Sequence, residues 1–167
     1  MNDNTLFDAF GYFRSLCEGN KLAQDEKFHF CTCSGLESLQ EPLQNYRTKN
    51  AFFVVDDTTD SAVFRGRAGG YYCRRVFTVF LLRRYRMDDM KDRQTQLDKC
   101  RALFHQLMSK LIVDEDDLKE DLVYLKSDNV MSRELGQYFM SGCTGLYFMV
   151  EVSEPVDLIY DESQWQK

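Results

Sequence analysis

Apolar positions along the chain follow two periodicities, and their order outlines a fold. Between Thr5 and Cys17, the residues Leu6, Phe7, Phe10, Phe13 and Cys17 recur at helical spacing, which predicts a first helix ended by Gly19-Asn20. Lys27 to Cys33 alternates instead, with Phe28, Phe30 and Thr32 opposite His29, Cys31 and Cys33, as in a short strand. Ser34-Gly35-Leu36-Glu37 has the form of a capping box. Leu36, Leu39, Leu43 and Tyr46 then trace one apolar helix face that Pro42 threatens to break. Ala51 to Asp56 reads as an apolar strand, and Asp57-Thr58-Thr59-Asp60-Ser61 as a turn. Ala62 to Arg65 is extended again, and Arg67-Ala68-Gly69-Gly70 forms a loop.

The strongest strand runs from Tyr71 to Tyr85. Val76, Thr78, Phe80 and Leu82 lie on one face and Phe77, Val79 and Leu81 on the other, the mark of a central strand covered on both sides. Asp88-Asp89 caps the longest helix, predicted to reach about Val113. Its stripe of Leu97, Cys100, Leu103, Phe104, Leu107, Met108, Leu111 and Ile112 is wide enough to face a core. Asp114 to Asp121 is expected to be an acidic connector. Leu122–Lys126 and Val130–Leu135 are expected as short strands and Leu146–Val152 as a longer one, which Pro155 ends, leaving an extended tail from about residue 156. Strands cluster in two groups rather than alternating with helices. The expected fold is therefore a single α+β domain over residues 1–167, a mostly antiparallel sheet packed against one long helix and an N-terminal helix.

Composition narrows the class. With 44% hydrophobic and 14% aromatic residues and two prolines, the chain is neither disordered nor fibrous. At 167 residues folding hides roughly 70% of the unfolded surface, so no metal or disulfide staple is needed. The six cysteines form no repeated spacing and are expected as reduced thiols in the cytoplasm. Met1-Asn2-Asp3-Asn4 lacks the basic region of a secretion signal. The longest uncharged run, the 16 residues Leu135–Val150, is too short and glycine-rich for a bilayer. A net charge of −6 argues against nucleic acid or an anionic membrane as the principal partner.

Each candidate constellation meets a plainer explanation. His29-Phe30-Cys31-Thr32-Cys33 offers three zinc-ligand types on one strand face, and Cys73 or Cys143 could complete a set, but cysteine on a strand face also packs as a small hydrophobe. His105 has no thiol singled out as its partner. Asp114-Glu115-Asp116-Asp117 is a contiguous run, whereas two-metal nucleases gather carboxylates from separate elements. Asp56 to Asp60 lacks the glycine and final glutamate of a calcium loop, and Gly66 to Gly70 lacks the Gly-Lys-Ser/Thr ending of a phosphate loop. Neither a catalytic residue nor a cofactor is expected.

Charge distribution says more. Seven arginines (Arg65, Arg67, Arg74, Arg75, Arg83, Arg84 and Arg86) fall between residues 65 and 86 without one acid, while Asp114 to Asp121 holds six acids and one lysine. These segments, with Asp114, Glu115, Asp116 and Asp117 leading the second, are candidate contacts between neighbouring copies, which meeting head to tail would form rings or filaments. Scattered surface ion pairs are the plainer account. A nucleic-acid module is the alternative, its arginines interleaved with Tyr71, Tyr72 and Tyr85.

Two runs and an ending carry a resemblance. Arg75-Val76-Phe77-Thr78-Val79-Phe80-Leu81-Leu82 leads into the Asp88-capped helix. Gly145-Leu146-Tyr147-Phe148-Met149-Val150-Glu151-Val152 precedes Glu154-Pro155 and the Asp161…Trp165 tail. Together they resemble small tail proteins of bacteriophages and prophages of the kind found in gut Bacteroidetes, and the element order is similar to that of tail-terminator and tail-completion proteins. The resemblance spans about residues 5 to 165 and implies a non-enzymatic virion-assembly component, formed in the cytoplasm, whose partners are itself and other tail proteins. It supplies no ligand set. On this reading, reversal of Arg83 and Arg84 to Glu is expected to spare folding and abolish assembly. The remaining alternative is a small metal or thiol enzyme built on His29, Cys31 and Cys33.

Overall fold

A computed structural model describes residues 6–137 and 142–166. The fold is α+β, as the clustering of strands implies. Thr5 lies outside the described residues. The first helix, α1, spans Ala9–Gly19 because Asp8 caps it, accepting from the Gly11 N–H at 2.9 Å. Asn20 caps the short α2 (Lys21–Asp25) in the same way. β1 (Phe28–Cys33) follows. The expected capping box is not formed: Gly35 occupies the cap position of a 3-10 turn at Leu36–Ser38 and no side chain caps it. The Ser38 hydroxyl instead reaches back and accepts from the Ser34 N–H at 2.7 Å. α3 (Gln40–Asn45) then tolerates Pro42 within its first turn, where the missing N–H has no helical partner.

β2 (Ala51–Asp56), β3 (Asp60–Arg65), β4 (Tyr71–Arg84), β5 (Tyr124–Lys126), β6 (Ser132–Glu134) and β7 (Cys143–Val156) join β1 in one seven-stranded sheet of main order β1-β2-β4-β7-β5. Among the described residues only β1 and β2 run parallel; the other five pairings are antiparallel. β4 and β7 are the spine, paired from Tyr71↔Val156 to Arg84↔Cys143. Within β7, Gly145 has φ +148°, and a Cβ there would lie 1.9 Å from the Leu81 carbonyl oxygen, so glycine alone lets the spine close. Pro155 does not end β7 as expected. β5 pairs only as far as Ser153, so Pro155 lies where the outer edge of β7 is open and a missing N–H is tolerated.

α1 and the 31-residue α4 (Met90–Glu120) cover one face, where Phe13, Phe53, Val79, Leu81, Leu103, Leu107, Phe148 and Val150 are buried. Asp89 caps α4, accepting from Lys91 and Asp92 N–H groups at 3.0 Å. The expected connector at Asp114–Asp121 is instead the end of this helix. Leu107, Leu111, Asp114 and Leu118 continue one stripe at helical spacing, and Asp114 is buried. Its carboxylate accepts from the Tyr12 hydroxyl at 2.9 Å and pairs with Lys110, which satisfies a charge at a core position.

The opposite face carries a smaller cluster of Cys31, Cys33, Leu39, Leu43, Phe52, Val54, Phe80, Leu82, Leu135 and Cys143. Double-sided cover of β4 is therefore confined to its second half. Its first half continues as an arm with β3: β3 is exposed at every position but Ala62, whereas of residues 71–77 only Tyr71 and Arg74 are exposed.

Candidate functional site

The arm is built by local sequence. Gly66 to Gly70 turns the chain, Gly69 and Gly70 taking positive φ, and β3 returns along β4 from Asp60↔Val76 to Arg65↔Tyr71. Among the described residues β3 pairs with β4 alone, so its other edge offers unpaired backbone groups. Both faces are bare. Val63 is 57% exposed and Phe64 41%, and Tyr71 is exposed beside them. Phe64 stacks on Tyr72 with centroids 5.7 Å apart, and Tyr72 meets Tyr124 edge-on at 6.0 Å, an aromatic row on the sheet face opposite α1 and α4.

Farther along that open face lies a cleft of about 450 Å³ lined by Leu36, Asp56, Thr78, Phe80, Arg133 and Tyr147 among others. Its carboxylates are already engaged. Asp56 accepts from Gly35 N–H, Thr58 N–H and the Thr58 hydroxyl at 2.7–2.9 Å. Glu134 holds Arg101 at 2.6 and 2.8 Å, which keeps the Glu134 carboxyl below its ordinary range and raises the guanidinium. Arg133 stands at the exposed rim.

The arginines expected to act together are separated by the fold. Arg65, Arg67 and Arg74 are exposed on the arm, Arg74 at 4.0 Å from Glu151. Arg75 is inward, 2.6 Å from buried Glu154, and the pair holds the backbone of Phe7: Arg75 donates to its carbonyl at 2.9 Å while Glu154 accepts from its N–H at 2.6 Å. Arg83 is buried between Glu26 (3.1 Å), the Glu26 carbonyl (2.9 Å) and Gln96 (2.7 Å). Arg84 donates to the carbonyls of Lys49 and Leu43, and Arg86 pairs with Asp89 beside the α4 cap. Of the acids, Asp114 is buried, Glu115 accepts from Ser127, and Asp116 and Asp117 are exposed on the last turns of α4.

His29, Cys31 and Cys33 do share a strand face, with the two thiols buried in the smaller cluster. Among the described residues no three His, Cys, Asp or Glu side chains converge as metal ligands. Burial pushes the Cys31 and Cys33 thiols up to about 12, and the charge of Asp56 adds to the shift at Cys33. Burial and then Lys49 lower the His29 imidazole, whose Nε2 is buried without a partner. A neutral thiol is a poor nucleophile and a poor ligand. The described residues contain no helix long and apolar enough to cross a membrane.

Sequence reasoning missed the apolar character of the arm. Its signal was the pair Val63-Phe64 set directly before Arg65 and Arg67, which reads as an ordinary short strand until its exposure is known. The chain matches no family model and no curated protein sequence.

Proposed function

We propose that the protein is a non-catalytic structural component of a phage or prophage tail, similar in role to tail-terminator and tail-completion proteins, that works by binding copies of itself and neighbouring tail proteins. The observation that carries the assembly part is the arm: an edge strand open along its length, bare on both faces, displaying Val63, Phe64 and Tyr71 beside Arg65 and Arg67. Monomeric proteins ordinarily blunt such edges, and exposed apolar strands with unpaired backbone mark surfaces made for another chain. The tail context is supported by the resemblance of 75–82, 145–152 and the Asp161…Trp165 ending. Assembly takes place in the cytoplasm and needs no bound cofactor.

Sedimentation velocity over a range of protein concentration and ionic strength tests the reading. The expected result is a closed oligomer that weakens as salt screens its charged contacts. A chain that stays monomeric, alone and with co-expressed tail neighbours, while binding DNA with a steep salt dependence overturns it in favour of nucleic-acid binding.

A further inference from the structure

The segment Asp157–Gln166 leaves β7 at the tip of the arm, since Val156 lies opposite Tyr71 and Tyr71 opposite Arg65. Two aspartates make local turns in it. Asp157 accepts from the Ile159 N–H at 3.0 Å, and Asp161 accepts from the N–H and hydroxyl of Ser163 at 2.9 and 2.7 Å. Yet it is apolar: Leu158, Ile159, Tyr160 and Trp165 are all exposed, Ile159 at 84%. Asp157 and Asp161 bracket the Leu158-Ile159-Tyr160 run, while Arg65 and Arg67 border the apolar run of β3. The two segments are complementary in charge and alike in lacking cover.

Resting on the assembly reading, we infer that Asp157–Asp161 of one copy adds as an outer strand to the free edge of β3 in a second copy. Main-chain hydrogen bonds supply the affinity of such strand addition, and side-chain alternation supplies its specificity. An extended Leu158-Ile159-Tyr160 turns Leu158 and Tyr160 to one face and Ile159 to the other. That suits a β3 strand exposed on both faces, with Phe64 on one side and Val63 on the other. The donor is another copy because β4 separates β7 from β3, so in its own copy the segment starts on the wrong side of the arm. A contact between two different surfaces repeats from copy to copy, which yields a ring or filament rather than a twofold dimer.

The experiment is binding of a fluorescein-labelled peptide of residues 157–166 to the full chain by anisotropy, together with sedimentation of the full-chain Ile159→Pro variant. Saturable binding is expected, weakened about tenfold or more in the Arg65→Glu, Arg67→Glu variant, as loss of charge complementarity dictates. Proline at 159 removes an N–H from the added strand. It should therefore eliminate binding in the peptide and self-association in the full chain, with the circular dichroism spectrum unchanged. A peptide that does not bind, or that binds equally with Pro at 159, overturns strand addition. Unaltered chain that still associates in that case leaves the assembly reading standing on another surface, whereas unaltered chain that never associates counts against assembly itself.

Discussion

Cys31 and Cys33 lie among Leu39, Leu43, Phe80 and Leu82, and this surrounding decides their chemistry. Taking a thiolate out of water is costly, so the proton stays on, and a thiol titrating near 12 holds about a thousandfold less thiolate at pH 8 than an ordinary cysteine. Cys17 and Cys100 are raised to about 12 as well, and Cys143 is raised, each chiefly by burial. Cys73 is half-buried on the arm, whereas the other five cysteines are buried. Ellman's reagent at pH 8 should therefore titrate Cys73 promptly in the native protein and the other five cysteines only after unfolding in guanidinium. Prompt labelling of Cys31 or Cys33, located by mass spectrometry, would restore the thiol-enzyme alternative. His29 fits the same picture, its ring packed 4.3 Å from that of Tyr46 with Nε2 enclosed.

α4 is the element that separates what the sequence displays from what it hides. The leucine stripe and the Asp89 cap were readable because periodicity and capping are local properties. The end of the helix was not, because an aspartate at a stripe position looks like the start of a solvated turn. Only contact with α1, 102 residues away, turns Asp114 into a core residue. The same limit hid the Arg75–Glu154 pair, 79 residues apart, and the exposure of β3, since apolar alternation shows which faces exist but not which receive a helix. The α1–α4 bond is measurable. Tyr12→Phe removes one partner and should cost about 1 kcal/mol, whereas Asp114→Ala strands the half-buried hydroxyl and should cost about 1–3 kcal/mol. The Tyr12 hydroxyl, raised by burial and by Asp114, is held as a donor. Urea unfolding of both single variants and the double variant checks this through their coupling; strictly additive losses would mean that the bond contributes nothing.

Across the whole molecule, the arginines of residues 65–86 serve two ends that a linear charge count merges. The inner group, Arg75, Arg83 and Arg84, fastens elements to one another: Arg83 alone joins β4 to Glu26 beyond α2 and to Gln96 of α4, with its guanidinium 5.4 Å over the Phe28 ring, while exposed Arg86 pairs with Asp89 three residues on. The outer group, Arg65, Arg67 and Arg74, stands on the arm with little of the core behind it. This division reverses the expectation that charge reversal at Arg83 and Arg84 would spare folding. Arg83→Glu brings a second carboxylate beside Glu26 in a nearly enclosed site, leaving Lys99 as its counter-charge, and should destabilise the chain by about 3–5 kcal/mol, the usual result of breaking a buried pair. Arg65→Glu with Arg67→Glu alters exposed groups and should move stability by no more than about 0.5 kcal/mol. Urea midpoints of the two variants decide the matter before any assembly assay is read. A variant that is unfolded cannot report on an interface, so loss of association in Arg83→Glu says nothing of docking, while loss in the arm variant at unchanged stability places the contact on the arm. Equal destabilisation by both variants would show that the arm is part of the fold's support and not a surface held out for a partner.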